Sequence, residues 1–113
     1  MSLIALEEAK TYLRVDSGMD DDLIGSLLLS AEKLTTDVAR MTAAEWDAVC
    51  TGEAVTVRGA DLDAAETTQL KALLSSAVLY SLGYLYEHRE QADHHELVLT
   101  LRNLLSSVRE GVF

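Results

Sequence analysis

LKALLSSAVLYSLGYLY, residues 70–86, decides the fold. Leu70, Leu73, Leu74, Ala77, Val78, Leu82 and Leu85 recur at three- and four-residue steps, the period of a helix. Leu79, Tyr80, Tyr84 and Tyr86 fill the remaining sides. The uncharged run 72–86 is shorter than the roughly 20 apolar residues a bilayer requires, so it predicts a buried helix and no membrane span. A helix that is apolar on most sides must be covered on most sides. A few short helices from one small chain can hardly do that. Leu79, Leu82, Leu85 and Tyr86 are therefore expected to meet another subunit.

Outward from this helix, start and stop signals recur. Asp63 and Glu66 have capping-box spacing and place its start, with an end near Arg89. Upstream, Leu6, Ala9 and Leu13 form the stripe of a short helix over 6–14. After a turn at 16–19, Asp20, Asp21 and Asp22 open a second helix reaching about Arg40. Those carboxylates complement the positive end of the helix dipole and are able to cap its free N–H groups. Ile24, Leu27, Leu28, Ala31, Leu34 and Val38 give it a broad apolar face. Thr42 and Glu45 fit another capping box, with Trp46 and Val49 as buried contacts of a third helix. Residues 54–58, AVTVR between Gly52 and Gly59, read as an extended arm or hairpin edge, which needs a partner strand. Downstream, Asp93 and Glu96 again have capping spacing. The last helix, to about Arg109, carries a stripe of Leu97, Leu101, Leu104, Leu105 and Val108. Leu99 falls off the stripe and Val112 and Phe113 lie beyond it, so these three are further interface candidates. The end 107–113 is expected to be dispensable for folding. The expectation is one all-α domain over 1–113. It is a small bundle of four to five helices around one long central helix, with a short arm or hairpin around 53–59.

Composition agrees. Proline is absent from the 113 residues and glycine is sparse, so little interrupts helices. Nine basic against 19 acidic residues give a net charge of −10. Residues 1–63 hold 13 acids and five bases, and 64–113 hold six acids and four bases. Such a field does not grip a phosphate backbone, because gripping needs Lys and Arg to displace counterions. One cysteine, Cys50, cannot form an internal disulfide, and the N-terminus lacks the pattern of a signal peptide. A soluble protein of a reducing cytoplasm is expected.

Catalytic spacing is sparse. The glycines form no phosphate-cradling motif, no G-x-S-x-G elbow occurs, and Cys50 reads as an inert thiol. His88, His94 and His95 lie close in sequence, but adjacent helical residues point about 100° apart and metal pairs usually sit at i, i+4. From Asp16 the acidic run fails the calcium-loop spacing, with Gly18 at position 3 and Asp21 at position 6. No catalytic residue, metal or cofactor is expected, and the chain does not read as an enzyme.

Three segments in order carry a resemblance. Leu6-Glu7-Glu8-Ala9-Lys10, Leu13-Arg14-Val15-Asp16 and Asp21-Asp22-Leu23-Ile24 make up the first. The second is 79–90, LYSLGYLYEHRE, an apolar helix ending in a Tyr-Glu-x-Arg-Glu stretch. The third is Leu101-Arg102-Asn103-Leu104-Leu105 onward to Arg109. Together they resemble the head–tail connector (adaptor) family of long-tailed phages and prophages. Residues 41–68 match nothing in it, and Ala5 stands where a Ser or Thr cap often precedes the leucine. The resemblance implies a virion protein forming a homo-oligomeric ring, dodecameric on the portal, between the portal and a tail-side completion protein. DNA would pass through the ring without being bound specifically. The protein would reside in the host cytoplasm during assembly and then at the virion neck. The alternative is an acidic helical binding protein, such as a DNA mimic, using its carboxylates as a decoy for a basic surface.

Overall fold

The computed structural model describes residues 3–15, 18–52, 54–88 and 94–111. Within them the chain forms α1 (Leu6–Leu13), α2 (Asp21–Val38), α3 (Ala43–Thr51), β1 (Val55–Val57), β2 (Ala60–Leu62), α4 (Ala64–Glu87), α5 (His95–Leu104) and α6 (Ser106–Glu110). It is a mostly helical bundle with one small sheet. Asp93 and its cap lie outside the described residues.

Both capping boxes are formed. The Thr42 hydroxyl accepts from the Glu45 N–H at 3.1 Å while a Glu45 carboxylate oxygen accepts from the Thr42 N–H. Asp63 and Glu66 reciprocate in the same way at the start of α4. Four otherwise orphaned N–H groups are thereby satisfied. The start of α2 differs from expectation, since no Asp20 side chain caps it. Its carboxylates instead make tertiary links. Asp21 pairs with Lys10 of α1 at 2.9 Å, and Asp20 accepts from the Tyr86 hydroxyl of α4 at 3.3 Å.

The extended segment finds its partner within the chain. β1 and β2 pair antiparallel around Arg58 and Gly59, with Val55 opposite Leu62 and Val57 opposite Ala60. Both turn residues have positive φ, the geometry of a tight two-residue hairpin. Val55, Val57 and Leu62 turn inward and extend the core.

That core surrounds α4. α1, α2, α3, β2 and α5 all pack on it, so the chain covers its own central helix further than the sequence suggests. Leu70, Leu74, Ala77, Val78, Leu82 and Leu85 are buried against Ile24, Leu28 and Ala31 of α2, Trp46 and Val49 of α3, and Leu97 and Leu101 of α5. Tyr86 meets Asp20 at the start of α2, and Arg58 beside the start of α4 reaches the Arg40 carbonyl after its end. The two long helices thus run in opposite directions.

The last helix is broken at Leu105. Its backbone leaves helical geometry there and α6 begins afresh. Leu105 and Val108 enter the core, whereas Leu104 remains 38% exposed. Residues 107–113 therefore contribute to the packed structure, since Val108 is fully buried and the Arg109 guanidinium donates to the Val38 carbonyl at 2.6 Å.

Candidate functional site

The interface candidates read from the sequence separate into three kinds. Leu82 and Leu85, 0% and 8% exposed, belong to the chain's own core and present no surface. Leu79 and Tyr86 are half-buried against that core. Leu99 projects from α5 at 44% exposure. Val112 and Phe113 lie outside the described residues.

A groove of about 610 Å³ runs between the end of α1 and the last turns of α4. All four tyrosines of the chain line it: Tyr12, Tyr80, Tyr84 and Tyr86. Two features of α4 build it. Tyr80 and Tyr84 sit one turn apart on one side of the helix, and Gly83 between them leaves room for the Tyr12 ring, whose Cε2 would stand 3.2 Å from an added Cβ. His88 stacks on Tyr84 with ring centroids 4.2 Å apart and its Nδ1 lies 2.9 Å from the Tyr84 carbonyl. His94 meets the same ring edge-on at 6.0 Å. Leu13, Arg14 and Glu87 complete the lining. The acidic start of α2 adjoins it through the Tyr86–Asp20 bond, and Asp22 there is exposed.

At the opposite end of α2 the arginines gather. Arg109 donates to the Val38 carbonyl and Arg58 to the Arg40 carbonyl, covering the negative end of the helix dipole. Desolvation, then the charges of Arg40, Arg102 and Arg58, lower the Arg109 pKa from its ordinary value. Among the described residues none of these four arginines lies within ion-pair distance of a carboxylate. Glu45 is close, but its oxygens are engaged. Burial works to raise its pKa, yet the Thr42 and Arg58 N–H groups, the Thr42 hydroxyl and the Arg58 charge hold it below the ordinary carboxylate value.

A second groove, about 480 Å³, lies between α2 and α3 under the exposed Leu29, with Met41 and Trp46 in its wall. Cys50 is half-buried, and desolvation followed by the nearby Glu32 charge raises its pKa, which keeps the thiol protonated at neutral pH. Among the described residues, no group of three His, Cys, Asp or Glu could hold a metal ion, and no helix is long and apolar enough to cross a membrane.

Sequence reading missed the tyrosine groove and the arginine cluster. Tyr80 and Tyr84 at i, i+4 with a helical Gly83 between them were a usable signal for the first. The arginines, spread from position 40 to 109, offered none. No protein-family model, curated protein or solved structure matches the chain.

Proposed function

We propose that this chain is a non-enzymatic virion assembly protein, a head–tail connector that forms a homo-oligomeric ring between the portal and a tail-side completion protein at the virion neck. The observation that carries the reading is the ordered resemblance of residues 6–24, 79–90 and 101–109 to that family. Its surface supports it. Tyr12, Leu29, Tyr80 and Leu99 are each more than 40% exposed on one small chain, a supply of apolar and aromatic contact area suited to protein neighbours. DNA passes through such a ring without being gripped, which suits a net charge of −10. The carboxylates also serve the fold. Asp21, Asp37, Glu45, Asp61, Asp63 and Glu66 are tied into caps, links and local pairs. A DNA mimic would instead need them along one continuous free face.

The test is the mass in solution, by light scattering, of the chain mixed with purified portal rings. Stoichiometric recruitment onto the portal is the expected result. A chain that ignores the portal but binds a basic DNA-binding protein would overturn the reading in favour of the decoy.

A further inference from the structure

We infer that the arginine cluster of one copy docks into the tyrosine groove of the next, making a head-to-tail contact between copies of this chain. The inference rests on the connector reading, which supplies the need for a repeating contact.

The cluster holds far more positive charge than its own surroundings use. Four of the chain's six arginines, at 40, 58, 102 and 109, gather there in a protein with 19 acids. The helix end they cover accounts for only about half a negative charge. Arg58 and Arg109 each donate one described hydrogen bond, to the Arg40 and Val38 carbonyls, out of five guanidinium N–H groups. Glu45 and Glu110 are the nearby acids, and Glu45 is already bonded to Thr42 and to the Arg58 backbone.

The groove has the complementary chemistry. Guanidinium groups stack on tyrosine faces and pair with carboxylates, and here four tyrosines stand beside Glu87 and the acidic start of α2. Arg14 and His88 also line the groove, and Lys10 of α1 pairs with Asp21 of α2. Tyrosine and arginine are the residue types enriched where interfaces concentrate their energy.

Position makes the pairing repeat. The two features lie at opposite ends of α2, an 18-residue helix about 27 Å long at 1.5 Å per residue. A contact between unlike ends leaves a free end on each copy, so it propagates into a ring or filament. Chemistry favours a second copy over DNA. A duplex, charged along its whole length, is repelled by the net −10 of the chain, whereas the groove of a second copy offers tyrosine faces beside a carboxylate.

Two variants test this. One carries Arg40→Asn, chosen because Asn tolerates the left-handed φ, together with Arg102→Glu. The other carries Tyr80→Ser and Glu87→Ser. Among the described residues none of these four side chains makes a hydrogen bond, and all four are exposed. Melting curves confirm that each variant folds. The unaltered chain is expected to self-associate, with affinity falling as salt is raised, and each variant to associate about tenfold or more weakly. Mixed together, the variants should form a dimer that grows no further, because one retains its groove and the other its arginines.

An unaltered chain that stays monomeric up to about 1 mM would overturn the inference. So would folded variants that associate normally, a mixture that forms no dimer, or a DNA duplex that binds the arginines in preference to a second copy. Portal recruitment that survives any of these results would leave the connector reading standing.

Discussion

Tyr12 of α1 lies against Gly83 of α4, where a Cβ would come within 3.2 Å of its ring and 3.5 Å of its hydroxyl oxygen. Gly83 costs the helix stability, since glycine in a helix interior is about 1 kcal/mol worse than alanine. In return it lets a ring settle on the backbone and form one wall of the tyrosine groove.

The two effects oppose each other in Gly83→Ala. The added methyl group needs the ring to retreat by a few tenths of an ångström, which a side chain 48% exposed can do. Helix propensity should win. Stability is expected to rise by about 0.5 kcal/mol, seen as a higher urea midpoint at unchanged slope. A fall of more than about 1 kcal/mol would show that Tyr12 is held rigidly.

Leu82 and Leu99 should behave in opposite ways. Leu82 is fully buried, so Leu82→Ala leaves a cavity and is expected to cost about 2–5 kcal/mol in urea unfolding. Leu82→Asp strands a carboxylate among α2 and α4 side chains and should prevent folding. Leu99→Ala alters a residue 44% exposed and should stay within about 0.5 kcal/mol of the parent. Comparable losses at the two sites would contradict this burial pattern.

Glu45 links acid stability to the hairpin. Its carboxylate accepts from the Thr42 N–H and, at 2.7 Å, from the Arg58 N–H. Its folded pKa lies below the ordinary 4.5. The stabilisation from the ionised group is therefore full above its unfolded pKa and drains away as pH falls through the lowered folded value. Glu45→Gln should be less stable than the parent at pH 7, and the gap should close as pH is stepped below about 4.5. A gap that persists unchanged into acid would mean that ionisation of Glu45 is not what matters.

Deleting 107–113 removes Val108 from the core and the Arg109 bond to Val38. A loss of about 2–4 kcal/mol is expected from the burial and the charge-assisted hydrogen bond together. Thermal unfolding of the truncated chain checks it, and a transition at the parent temperature would refute the role given to Val108.

Much of this fold was legible because its signals are local. The Thr42–Glu45 and Asp63–Glu66 boxes depend on side chains three residues apart, and the burial of Trp46, Val49, Leu97 and Leu101 follows from helical period alone. Residues 54–58 were readable as extended because three β-branched residues, Val55, Thr56 and Val57, lie together between two glycines. Their partner, 60–62, was not, since Ala-Asp-Leu carries no strand propensity of its own and is held by pairing with β1. The break at Leu105 was equally hidden. The apolar period continues through it, so no local signal marks the point where the backbone leaves the helix.

By itself the sequence determined where the first four helices begin, which residues carry their apolar stripes and the balance of charge, all set by interactions within a few positions of the chain. Only the tertiary structure decided how α4 is covered and which surfaces remain outside. It placed Leu82 inward and Tyr80 outward, brought Tyr12 onto Gly83, and converted Asp20 and Asp21 from caps into links to Tyr86 and Lys10. It also assembled Arg40, Arg58, Arg102 and Arg109 at one end of α2. These outcomes depend on the packing of segments up to 71 residues apart, and no periodicity along the chain encodes such distances.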